Sequence, residues 1–160
     1  MEGPAKEPII GAPVSAHFIN NVLAAAASYI EDDPDYARDV LAELGQFLSY
    51  RLRDDPVPVP ISQEMAHVSC YLRLQQARFP DRISAELPGE GEITARRVSP
   101  GAVQRPLADA LSRRLGEHAG PCVAVLSPQN GGLELVLGAP GDPSPERVAI
   151  ALTTEEEVLS

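Results

Sequence analysis

Between Ser15 and Ile30 the apolar residues recur at 4-3-4 spacing, a period that only a helix gathers onto one side. Phe18, Val22, Ala25 and Tyr29 form one stripe, and Ile19, Leu23, Ala26 and Ile30 form the next. A third line, His17, Asn21, Ala24 and Ser28, borders this face on its polar side. Ser15 is a good N-cap residue and Val14 before it suits a hydrophobic staple, so the helix is expected to start there. Glu31-Asp32-Asp33-Pro34 stops it and opens a second helix. Asp33 suits the cap and Pro34 the first turn, and the acidic run complements the helix dipole as a solvated cap. The second helix is expected to reach about Arg53, with Ala37, Val40, Leu41, Leu44, Phe47, Leu48 and Leu52 on its apolar side. A helical hairpin is the result, and its stripes are wider than one hairpin can bury.

Alternating proline in Asp55–Pro60 forbids a helix and makes a stiff, extended connector rather than a peptide-docking motif. Ser62 and Met65 open a third helix to about Phe79, with Met65, Val68, Leu72 and Phe79 on one side. His67 is expected on its exposed polar flank. After Pro80 the texture changes. Arg82–Leu87 reads as an edge strand, and Pro100–Leu115 as a helix that carries Pro106 in its first turn. Cys122–Leu126 and Leu133–Leu137 read as a hairpin turned at Asn130-Gly131, and Arg147–Leu152 as a last strand after the loop 138–145. Gly131-Gly132 sits in that hairpin with no helix after it, so it is a turn and not a phosphate loop. The expected division is a lead-in at 1–13, an all-α part at 14–80 and an α/β part at 81–160.

Composition closes off several functions. Net charge is −10 and Lys6 is the only lysine, which argues against nucleic acid and anionic membranes as partners, because phosphate contact needs a positive surface. No apolar run approaches the roughly 20 residues of a membrane span. The first residues lack the basic-then-apolar pattern of a signal peptide, so the expected location is cytoplasmic. Cys70 and Cys122 fit no metal spacing and are expected as buried free thiols in a reducing compartment. Three scattered histidines, without a serine, cysteine or carboxylate constellation, give no support to a hydrolase or a metalloenzyme.

Residues 14–82 resemble the bacterial sensor histidine kinase family whose phosphoacceptor segment reads P-H-F-L-F-N. The matching segment is Ala16-His17-Phe18-Ile19-Asn20-Asn21, followed in order by Asp33-Pro34, Phe47–Arg53, Val59–Glu64, Tyr71-Leu72 and Gln76–Arg82. Ala16 replaces the family's Pro, and Asn20 its second Phe. The resemblance implies that His17 is the phosphoacceptor and that Asn21, one turn on, orients its ring or positions a water. A neutral, exposed imidazole is what in-line attack on a phosphoryl group requires.

The back part resembles the same kinases' ATP-binding domain in reduced form. Val98–Leu111 looks like the helix that carries the family's magnesium-binding Asn, and Ala110 stands in the place of that Asn. Leu133–Gly141 looks like the strand that ends in D-x-G-x-G, with Ala139 in the place of the Asp. A methyl group neither coordinates Mg²⁺ nor accepts a hydrogen bond. The second glycine-rich box and the lid are missing, so no cofactor and no resident metal are expected, nor autonomous ATP-dependent kinase activity. The implied fold is α+β. A helical hairpin and third helix form a four-helix bundle in a homodimer, followed by a small reduced ATPase-type α/β sandwich. This layout is similar to that of the bacterial sporulation phosphotransferase. The implied function is a dimeric phosphotransfer or docking protein of two-component signalling, whose partner is a response regulator or sensor kinase. The transfer would draw on an aspartate and Mg²⁺ from the partner. The alternative is a non-catalytic dimeric adaptor or sequestering regulator that keeps only the fold.

Overall fold

The computed structural model describes residues 15–53, 57–89, 91–93 and 96–152. The expected lead-in, the Val14 staple, the start of the proline-rich connector and the acidic C-terminal tail fall outside these residues. The first two helices, α1 (Ala16–Tyr29) and α2 (Pro34–Arg51), begin where local chemistry sets them. Ser15 Oγ accepts the Phe18 N–H at 3.0 Å, and Asp33 Oδ1 accepts the Tyr36 N–H at 3.1 Å with Pro34 in the first turn. Tyr29 and Tyr36 meet edge to face at 4.7 Å and close the hairpin. The second helix stops at Arg51, short of the expected Arg53, because Leu52 leaves helical geometry at φ −98° while its N–H still bonds Leu48 O at 2.8 Å.

A third helix, α3 (Ile61–Arg78), lies against both, and Tyr29 Oη donates to Ala77 O at 3.2 Å. Just before it, the strand β1 (Val59–Pro60) pairs antiparallel with β3 (Arg97–Val98), so the end of the connector is fastened down. The expectation for His67 fails. It is 4% exposed and stacks between Phe47 at 4.8 Å and Tyr50 at 4.1 Å. α3 is covered by α1 and α2 as well as by the elements that follow it, so its polar flank is interior.

The main sheet has the order β2 (Ile83–Glu86), β4 (Cys122–Gln129), β5 (Gly132–Gly138), β6 (Glu146–Ala151). β2 runs parallel to β4 at one edge, and β4–β5–β6 is an antiparallel meander. The β4–β5 turn falls at Asn130-Gly131, with Gly131 at φ +80°. Alternate residues Cys122, Ala124 and Leu126, with Leu133, Leu135 and Leu137, are buried, so one face of the sheet is covered. The helix α4 (Gln104–Glu117) packs on that face through Leu107, Ala110 and Leu111. It starts later than the expected Pro100, because Gly101 sits at φ +89° and residues 99–103 turn instead. Pro106 falls in its first turn as expected. A continuous buried cluster joins Val22 of α1, Phe47 of α2 and Leu74 of α3 to Leu111 of α4 and Ile150 of β6. The architecture is α+β, with helices layered on one face of a small mixed sheet. No helix among the described residues is long and apolar enough to cross a membrane.

Candidate functional site

His17 stands in the first turn of α1, exposed, because the Ser15 cap fixes that turn and Phe18 anchors it. The Phe18 ring lies 5.4 Å from Phe47 and 6.0 Å from Tyr71, so the imidazole at the preceding position is held outward on a rigid base. His17 borders a cleft of about 440 Å³ between the start of α1, the ends of α2 and α3, and the first turns of α4. Asn21 is half-buried one turn along and lies outside the cleft lining.

Three arginines converge on the cleft, from three different helices: Arg51, Arg78 and Arg105. Arg78 lies over the Phe18 ring at 5.5 Å and the Phe79 ring at 5.0 Å, and its Nη1 donates to Gln75 Oε1 at 2.9 Å. Arg51 is 7% exposed and donates from Nη1 to Gln104 Oε1 at 2.9 Å. Gly101 has no side chain to keep the other two apart. A Cβ there would meet Arg105 Cδ at 3.1 Å and Arg51 Nη1 at 3.4 Å. Burial lowers the pKa of Arg51, and the Arg105 charge adds to this against the opposing pull of Glu64 and Tyr50. Arg78 is lowered by burial as well. Among the described residues Asp109 is the one acidic residue lining the cleft.

Behind the cleft lies Glu64, fully buried on α3. Its carboxylate accepts the backbone N–H of Gly101 at 2.8 Å and those of Val103 and Gln104 at 3.0 Å. It also accepts the Tyr50 hydroxyl at 2.5 Å. The open amides at the start of α4 are thereby satisfied from another helix, with an anion at the positive end of the dipole. Tyr50 is pushed well above the usual phenol range by burial, with the Glu64 charge and hydrogen bond adding to it.

The two alanines that replace ATP-site residues in the resemblance lie apart. Ala110 is buried on α4 among the core residues, and Ala139 is exposed just after β5. Residues 139–145 lead straight from β5 into β6, in a turn closed by Asp142 N–H to Ala139 O at 3.0 Å and Ser144 N–H to Asp142 Oδ1 at 2.9 Å. Among the described residues no three His, Cys, Asp or Glu side chains are placed to hold a metal ion. Sequence reasoning met Arg51, Glu64 and Arg78 only inside the segments that carry the resemblance, and gave neither them nor Arg105 a role in the site. The tertiary fold brings them together, and no spacing between them shows that they meet.

A histidine kinase family model matches residues 10–83, which contain α1, α2 and α3. The sensor protein LytS of Enterococcus faecalis is 29% identical over 108 residues, covering 67% of this chain and 18% of that protein. LytS of Oceanobacillus iheyensis is 31% identical over 101 residues, covering 62% of this chain and 17% of its own length. The sensor histidine kinase YpdA of Escherichia coli is 28% identical over 111 residues, covering 68% of this chain and 19% of its own. The chain thus spans about a fifth of the length of the curated relatives it matches. The helical part of the chain is thus similar to the histidine kinase family, and about two thirds of the chain is similar to these sensor proteins.

Proposed function

We propose that the chain is a two-component signalling protein derived from a histidine kinase, in which His17 exchanges a phosphoryl group with a partner and no ATP-dependent kinase acts within the chain. The observation that carries this reading is the exposed His17, on a capped and anchored helix start at the mouth of an arginine-lined cleft. A neutral imidazole nitrogen attacks the phosphorus of a phosphoaspartate on the partner. The P–N bond forms as the P–O bond breaks, and the aspartate leaves as a carboxylate. Asn21 serves as the orienting or water-positioning residue on the same helix.

The implied partner is a response regulator or a sensor kinase, on the cytoplasmic side where such partners work. The direct β5–β6 connection and Ala110 and Ala139 support the absence of a nucleotide site. Exposed Leu23 and Ile30 of α1 and Leu41 of α2 support a homodimer that covers this face in a four-helix bundle. The same exposed face favours a second reading, a dimeric adaptor without phosphotransfer.

Incubation with a phosphorylated response regulator separates the two. Acid-labile label on the wild type and none on His17→Ala is the expected result. Unlabelled wild type with every cognate donor would leave the adaptor.

A further inference from the structure

The cleft beside His17 gathers positive charge in a chain whose net charge is −10. Like charges are brought together there at a cost, since Arg51 and Arg105 approach the same point over Gly101 and Arg51 is nearly buried. The Glu64 carboxylate, whose charge acts on Arg51 from behind the cleft, is already engaged by three backbone amides and a phenol, and among the described residues Asp109 is the acidic member of the lining. Two of the three guanidinium groups are also held in advance of any ligand. Arg78 is fixed between aromatic faces and Gln75, and Arg51 is fixed by Gln104. Fixed guanidinium forks facing a common space match the geometry of a phosphoryl group and lose little freedom on binding it.

We propose that Arg51, Arg78 and Arg105 form a cradle for a phosphoryl dianion next to His17, built within a single chain. This rests on the reading of His17 as phosphoacceptor for its role, and names what holds the charge of the transferred group. The dianion has two possible sources, the phosphoryl borne by His17 itself and one that is free or carried by a partner.

The test is an orthophosphate titration of the full chain at constant ionic strength, followed through the arginine Nε–Hε NMR resonances. Saturable shifts of Arg78 and Arg105 are expected, and Arg105→Gln should weaken binding on the order of 10-fold. Arg105 is exposed, so this variant keeps the fold. Arg113→Gln, on the same helix but paired with Glu146, controls for general loss of charge and should leave the affinity unchanged. His17→Ala should still bind orthophosphate, so a failure of phosphotransfer and a failure of the cradle are seen separately. Absence of saturable shifts, or equal weakening by Arg105→Gln and Arg113→Gln, would overturn the proposal.

Treatment with phosphoramidate then distinguishes the sources. A ring nitrogen of His17 displaces ammonia from phosphorus, the new P–N bond replacing the old one. Arginine shifts without added phosphate, with orthophosphate excluded, assign the cradle to phosphorylated His17. Continued orthophosphate binding assigns it to a free or partner-borne group. Either result keeps the cradle.

Discussion

The Glu64 carboxylate accepts the backbone N–H of Gln104 at 3.0 Å, across a sequence separation of 40 residues. With the Gly101 and Val103 amides and the Tyr50 hydroxyl on the same carboxylate, this contact locks α4 to the helical part. Glu64→Ala removes the buried anion and strands three amides, and should cost at least about 3 kcal/mol in urea unfolding. Tyr50→Phe removes one hydrogen bond to the charged group and should cost about 1.5 kcal/mol. Equal losses for the two would show that the amides do not depend on Glu64.

His67 predicts a stability that falls in acid. Both ring nitrogens are buried without a hydrogen-bond partner between Phe47 and Tyr50. Burial, reinforced by the Arg51 charge, pushes its pKa down to about 3 from 6.5. The unfolded chain therefore binds the extra proton first. This residue's term is constant above the unfolded value and weakens as pH falls from about 6.5 towards 3, with a slope of up to about 1.4 kcal/mol per pH unit. Arg51 and Tyr50 beside it keep one charge state through this window, since both ionise far above it. His67→Phe should flatten the drop in urea midpoint between about pH 7 and about pH 5. An unchanged drop would assign the acid sensitivity to other groups.

The two thiols should be inert in the folded state. Cys70 is 4% exposed and its pKa is pushed up to about 12, first by burial and then by Glu43 beside it. Cys122 is raised by burial too. Alkylation by iodoacetamide at neutral pH should track unfolding, with both cysteines protected in native buffer. Rapid modification of the native protein would contradict this.

Gly132 and its neighbour Gly131 should differ sharply when replaced by alanine. A Cβ on Gly132 would fall 2.0 Å from the Ile150 carbonyl oxygen, so Gly132→Ala must push β5 and β6 apart at a cost of about 2–3 kcal/mol. Gly131 has open space around its Cβ position and only a left-handed φ of +80°, so Gly131→Ala should cost about 1–2 kcal/mol. Thermal unfolding of the pair measures the order.

The dimer reading predicts that a charge on the outer face of the hairpin separates the protomers. Leu23→Asp is on an exposed position, 43% accessible, and leaves the core of the single chain untouched. Sedimentation should show the wild type as a dimer and Leu23→Asp as a monomer with the same helical circular dichroism. A wild type that sediments as a monomer at every concentration would remove the bundle from the proposed function.

Local chemistry made much of this fold legible. Ser15, Asp33-Pro34 and Asn130-Gly131 act on neighbours within a few residues, and each marks a boundary where the sequence predicts it. α3 was harder. Glu64, His67 and Gln75 are all buried there, and periodicity assigns polar residues to a wet face when several neighbours enclose the helix. The Val59–Pro60 pairing with β3 was hidden by prolines that exclude a helix without showing what the extended chain pairs with. His17 was visible through the order of motifs around it. The arginines of its cleft belong to α2, α3 and α4, so their meeting depends on packing that no short window contains.

Because the packing of α1 runs into the cluster that reaches β6, a swing of the whole helix that carries His17 relative to the sheet would open the core. In the proposed role, a phosphoryl group then has to reach His17 from outside this packed unit. In the proposed signalling role, turnover at low concentration should rise linearly with partner concentration and reflect encounter frequency. With a net charge of −10 on this chain, added salt should slow that encounter with a basic partner face and hasten it with an acidic one.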